Sequence, residues 1–149
     1  MARLSDDAWR LRRENYPLAV EIRAAYGDVD SFHHLNNVAL ARFLEEGRAT
    51  MNMQVFGVDA VVRPSGDVQL LFASVTIDYI AQGTYPGTVT VAVAASRVGG
   101  SSYVQSCGVF QNGRCIALCD AVTVYAAAGR GAPLPPDARA TLETLKPKN

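Results

Sequence analysis

The sequence predicts an α+β domain in which one long central helix is wrapped by a five-stranded antiparallel sheet. Three observations predict it. A single stretch has helical periodicity: Leu40, Leu44, Gly47, Met51 and Val55 recur at spacings of four and three, one stripe of a helix. Five other runs alternate with period two or are rich in β-branched residues, and short turn signals separate most of them. A helix with one apolar stripe must bury it, and the sheet is the only partner available.

The elements follow in order. Ser5 is placed to cap a short helix through Asp6, Asp7, Ala8 and Trp9, with the acids at its positive end, and Pro17 interrupts. Leu18, Val20 and Ile22 then alternate with Ala19, Glu21 and Arg23 as a strand. A polar loop follows, and helical periodicity begins after Asn37. Gly47 interrupts the apolar stripe at a cost of about 1 kcal/mol against alanine, which predicts close approach of the helix backbone to its packing partner. Arg42 and Glu46 are spaced for a weak pair, and Gly57 is a stop signal.

Four strand runs come next. "VQLLFASVTIDYI" puts Val75, Ile77 and Tyr79 on one face; "TVTVAVAASRV", "SSYVQSCGVF" and "CIALCDAVTVYAA" follow. Gly83 to Gly87 with Pro86, then Gly99-Gly100, then Asn112-Gly113 divide them, and the Asn-Gly pair predicts a tight hairpin. The last run carries Ile116, Val122 and Val124 on one side and Cys115, Ala117 and Cys119 on the other. Both faces are apolar, so a second subunit is expected over the second face or an edge. The reading is one domain over 1–149, with 1–16 as a lead-in segment and 129–149 as a C-terminal tail that includes a short helix.

Composition excludes several function classes. Lys and Arg balance Asp and Glu at 14 each, so no basic platform for nucleic acid or membrane is present. No stretch has the length and apolarity of a spanning helix or a signal peptide, and a cytoplasmic setting is the default. The three cysteines lack a CxxC pair and fall in strand runs, which predicts buried thiols and no zinc site.

The loop "YGDVDSFHHLNNVALARFLEEGR" concentrates Asp28, Asp30, both histidines, Asn36 and Asn37 just before the helix. Taken singly, the aspartates suit turns and either asparagine suits an N-cap. Adjacent His33 and His34 are poorly spaced for one metal ion, and no G-x-S-x-G elbow exists for a serine hydrolase. Another chemistry suits the arrangement. A helix N-terminus polarises a carbonyl and stabilises an oxyanion, while an upstream carboxylate attacks or activates water. Those parts suffice to hydrolyse an activated acyl group such as a thioester, without metal or cofactor.

The same segment resembles the signature of the hotdog-fold acyl-CoA thioesterases, in the branch that includes 4-hydroxybenzoyl-CoA thioesterase. Members typically show D-x-D-x-x-G-H-x-N-N, then a helix ending near an E-E-A-R-like run. Asp28 and Asp30 match the aspartates, His34 the histidine, Asn36 and Asn37 the asparagines, and Glu45, Glu46 and Arg48 the helical run. The resemblance extends through "IDYIAQGTYPGTVTV", "VGGSSYVQSCGVFQNGRCIAL" and "PLPPDARATLETL". It implies a hotdog fold, a homodimer or homotetramer with sites at the subunit interface, and acyl-CoA as substrate. Asp30 is then the catalytic carboxylate, and the backbone N–H of Asn37 or a neighbour polarises the thioester. His34 orients the site, Asn36 is expected to bind substrate beside it, and Ser101 and Ser102 resemble the stretch that holds the coenzyme A arm. His33 stands where the family has glycine, which predicts a differently shaped loop with His33 toward the acyl pocket. Leu40 replaces a usual aromatic residue. Two alternatives share these features: a thioesterase acting on acyl groups carried by a protein phosphopantetheine arm, and a hotdog protein that binds acyl-CoA without turnover.

Overall fold

Asn36 begins the long helix: its side-chain Oδ1 accepts the Ala39 N–H at 2.6 Å, and α1 runs Asn37–Phe56. Gly57, at φ 92°, ends it, and its N–H bonds the Met53 carbonyl. A computed structural model describes residues 1–149. The strands are β1 (Leu18–Arg23), β2 (Val68–Tyr79), β3 (Thr88–Val98), β4 (Ser102–Gln111), β5 (Arg114–Ala127) and the two-residue β6 (Arg130–Gly131). They form one antiparallel sheet in the order β1-β3-β4-β5-β2, with β6 beside β5. The sheet curls around α1 as a half-barrel, the hotdog arrangement. No helix is long and apolar enough to cross a membrane.

The inner face meets the helix. Leu40, Phe43, Leu44 and Met51 from α1 pack on Val89, Val91, Val93, Cys107, Val109 and Cys119. Gly47 makes the expected close approach: a Cβ there would stand 2.5 Å from Val91 Cγ1 and 3.1 Å from Val93 Cγ2. The hairpin between β4 and β5 turns on Asn112 and Gly113, both at positive φ (52° and 76°), the geometry an Asn-Gly turn supplies. All three cysteines are free and buried.

Four expectations need correction. The lead-in forms three 3-10 turns (Leu4–Asp6, Ala8–Leu11, Arg13–Asn15) and no α-helix. Tertiary contacts outcompete so short a helix: Leu4 N–H bonds Asp78, and Arg10 reaches into the sheet, donating to both carboxylate oxygens of Asp120 at 2.6 and 3.1 Å. Second, this segment itself covers part of the outer face, since Leu4, Trp9 and Tyr16 pack with Ala92, Ala94, Phe110, Cys115 and Leu118. Third, a register shift at Ile116 puts Ile116 with Ala117 and Cys119 on the helix side and Cys115 with Leu118 outside. One extra residue in a strand exchanges faces beyond it. Fourth, Arg42 pairs with Asp28, at 2.8 Å, instead of Glu46.

Two short helices complete the chain. A second, α2 (Val58–Val62), follows Gly57; its β-branched residues masked it in the sequence. The last, α3 (Pro136–Thr144), buries Ala138 and Leu142, and Leu134, Leu142 and Leu145 join the main core.

Candidate active site

The loop between β1 and α1 is built on its two aspartates, which do different work. Asp28 is buried and fully engaged. Its Oδ2 accepts the Ala25 N–H at 2.8 Å, its Oδ1 accepts Arg42 Nη2 at 2.8 Å, and its carbonyl accepts the Asn36 N–H at 2.9 Å. Burial alone would raise its pKa, but the Ala25 N–H and the Arg42 guanidinium prevail and hold it below the ordinary carboxylate value. Asp28 therefore ties the loop to the first turns of α1.

Asp30 closes a tighter ring. Its Oδ1 accepts the N–H groups of Phe32 (2.9 Å) and His34 (3.1 Å), and its own N–H bonds the His34 carbonyl at 2.8 Å. The second oxygen, Oδ2, has no protein partner. His33 completes the ring in the left-handed region, at φ 64°. The loop thus adopts at His33 a backbone that favours glycine, while the His33 side chain is exposed and does not line the cavity beside Asp30.

That cavity, about 240 Å³, is lined by Asp30, His34, Asn37, Leu40, Tyr79 and Ala81 among others. At its helix end, Asn36 occupies the Ala39 N–H and its carbonyl the Leu40 N–H, which leaves the Asn37 and Val38 N–H groups unpaired. The positive end of a five-turn helix therefore opens into the cavity that holds the free Asp30 oxygen. His34 Nδ1 is buried without a protein partner. Tyr79, at the end of β2, donates its hydroxyl to the Asn37 carbonyl at 3.3 Å. Sequence reasoning placed Tyr79 on one face of its strand with Val75 and Ile77 but did not assign it to the site. No three His, Cys, Asp or Glu side chains are gathered to hold a metal ion.

The structure brings Asp30, His34 and Asn37 together. It places Asn36 beside them with its side-chain oxygen committed to the cap. Ser101 and Ser102 lie elsewhere: Ser102 is in register with Val124 of β5, whereas Tyr79 is in register with Ala117. That offset is about 23 Å along the strand at about 3.3 Å per residue. Within one chain the serine turn and the Asp30 loop do not share a site.

Comparison with known proteins bears on the family and the fold. A family model described as the thioesterase-like superfamily matches residues 25–142. Among solved structures, a protein of Pseudomonas aeruginosa is 26% identical, with 91% of this chain and 95% of that one covered at a TM-score of 0.80. A thioesterase from Thermus thermophilus complexed with coenzyme A and zinc is 25% identical, covering 89% and 96% at a TM-score of 0.76. A predicted thioesterase from Bacillus stearothermophilus is 25% identical, covering 89% and 98% at a TM-score of 0.80. No curated protein sequence matches the chain.

Proposed function

The chain belongs to the thioesterase-like superfamily and is a thioester hydrolase, and from that premise we propose that it cleaves acyl-CoA to free acid and coenzyme A. The observation that carries the proposal is the meeting, in one cavity, of Asp30, whose Oδ2 has no protein partner, and Asn37, whose N–H is free. The coenzyme A in the Thermus thermophilus relative supports the identity of the carrier.

In this reading the thioester carbonyl oxygen faces the helix N-terminus, where Asn37 N–H polarises it. Asp30 attacks the carbonyl carbon or directs a water at it. Collapse of the tetrahedral oxyanion breaks the C–S bond and coenzyme A leaves as a thiolate that takes up a proton from water; where Asp30 is the nucleophile, the acyl–aspartyl anhydride so formed is then hydrolysed by a second water to release the acid and restore the carboxylate. His34 orients the loop and substrate. Ser101 and Ser102 enter only through a second subunit, whose turn would hold the coenzyme A arm. We read residues 1–149 as one domain working as a homodimer or higher homo-oligomer. Three buried free thiols fit a reducing, cytoplasmic setting.

The test is a substrate panel read by free-thiol release: acetyl-, butyryl-, dodecanoyl- and benzoyl-CoA, beside an acyl-carrier protein. Turnover of at least one acyl-CoA is expected. Turnover confined to the carrier protein would replace the proposed substrate, and binding without thiol release would refute the proposal.

A further inference from the structure

A second cavity adjoins the one that holds Asp30. It measures about 320 Å³ and is lined by Gln82, Thr84, Gln111, Asn112, Arg114 and Ile116. Gln82 lines both cavities, so the two share a wall. The offset between them is short. Tyr79 borders the Asp30 cavity and pairs with Ala117, and Arg114 precedes Ala117 by three residues in β5, about 10 Å at about 3.3 Å per residue. A short acyl group and an arginine side chain together span that length.

The chemistry of this wall is one-sided. Arg114 is its only charged residue, and no carboxylate side chain lines it. The guanidinium takes part in no ion pair. Its one hydrogen bond runs from Nη2 to the Gln82 carbonyl at a long 3.4 Å, which leaves most of its N–H fork free. The side-chain amides of Gln82 and Asn112 add neutral donors. An aliphatic tail finds a single apolar side chain there, that of Ile116.

The floor of the cavity is held in place. Gln111 Oε1 accepts the Thr84 N–H at 2.8 Å, and its Nε2 donates to the Thr84 carbonyl at 2.9 Å. Gly87 makes room for this clamp, since a Cβ there would stand 2.9 Å from Gln111 Nε2. Gln111 is buried and sits in register with Arg114 across the β4–β5 hairpin. The clamp therefore ties the loop after β2 to the strand pair that carries the cation. A site already built in this way costs a ligand little ordering.

A free guanidinium among neutral donors suits a carboxylate or a phosphate. Two parts of an acyl-CoA carry such a charge: the far end of the acyl group and the phosphates of coenzyme A. The long pantetheine arm keeps the phosphates well away from the thioester, whereas this cavity borders the reaction cavity itself. The acyl end is the group that fits. We infer that Arg114 selects acyl groups ending in a carboxylate, so that the preferred substrates are short dicarboxylic acyl-CoA thioesters. The inference rests on the thioesterase reading above.

Succinyl-, glutaryl- and adipyl-CoA are compared with butyryl-, pentanoyl- and hexanoyl-CoA, the neutral chains of equal length, by free-thiol release. Wild type should favour at least one diacid over its neutral counterpart. At that length Arg114→Gln should lower the diacid-to-neutral ratio of kcat/KM about ten-fold, the scale of a charged hydrogen bond near solvent. Arg114→Lys keeps the charge and should recover part of the ratio. Because each ratio is taken within one enzyme, a folding defect that lowers both rates does not move it. The N-acetylcysteamine thioesters of the same acyl groups lack phosphates, and on them the ratio should fall by the same factor. If Arg114→Gln lowers both CoA thioesters equally and neither N-acetylcysteamine thioester, the cation serves a coenzyme A phosphate and the acyl assignment is overturned. A ratio unmoved by Arg114→Gln, or a wild type that cleaves other acyl-CoA and favours no diacid, overturns it too and leaves the thioesterase reading standing. A wild type that releases no thiol from any acyl-CoA overturns that reading, and this inference with it.

Discussion

Asp30→Asn separates the chemistry of the loop from its architecture. The architectural oxygen is Oδ1, which holds the Phe32 and His34 N–H groups at 2.9 and 3.1 Å. Asparagine keeps an oxygen there, so the ring and the left-handed His33 persist. The loss falls on Oδ2, which becomes an amide nitrogen, neither nucleophile nor base. A positioned general base contributes about 10²- to 10⁴-fold, so single-turnover hydrolysis should fall by that factor. Stability should change by no more than about 1–2 kcal/mol, because two charge-assisted bonds weaken to neutral ones without being lost. Asp30→Ala removes both acceptors and should lose stability as well as rate. The assay is thiol release at enzyme excess, which keeps product release out of the measurement, with thermal unfolding in parallel. An Asp30→Asn enzyme within ten-fold of wild type would refute the assignment.

Two further predictions concern the frame. Gly47→Ala should destabilise: relieving the 2.5 Å approach to Val91 Cγ1 costs about 1–3 kcal/mol, against a helix-propensity gain of about 1 kcal/mol. A thermal midpoint that rises would show the contact to be loose, whereas Val91→Ala should restore much of a loss. Asp28 links stability to pH. Its folded pKa lies below the ordinary value, so its contribution is complete above about pH 4 and is lost as pH falls through the folded value. Asp28→Asn should be less stable at neutral pH and show a flatter acid limb in urea midpoints; parallel acid limbs would refute this linkage.

What was legible in the sequence was local. The stripe of α1, the glycine at its contact and the Asn-Gly hairpin depend on residues a few positions apart, and each appears as read. The clustering of Asp30, His34 and Asn37 follows from the same short segment. What was illegible depends on distant partners. The lead-in turns are set by Arg10 meeting Asp120, 110 residues away. Tyr79 reaches Asn37 only through the register of β2, 42 residues on. The irregularity at Ile116 leaves an unbroken apolar alternation in the sequence, and only pairing with β4 exposes it. His33 is the instructive local case: a glycine-favouring backbone persists because the Asp30 hydrogen bonds enforce it.

The Arg10 anchor has a consequence for assembly. The lead-in segment lies on the convex face of the sheet, with Trp9 and Tyr16 over Ala92, Ala94 and Leu118 and the guanidinium seated on Asp120. Covalent attachment makes its local concentration independent of protein concentration, so dilution cannot uncover that surface. The segment thus substitutes for a neighbouring molecule where the sheet would otherwise be adhesive. Association through that patch is therefore blocked at any concentration, and β1 and β2 remain the terminal strands of the sheet.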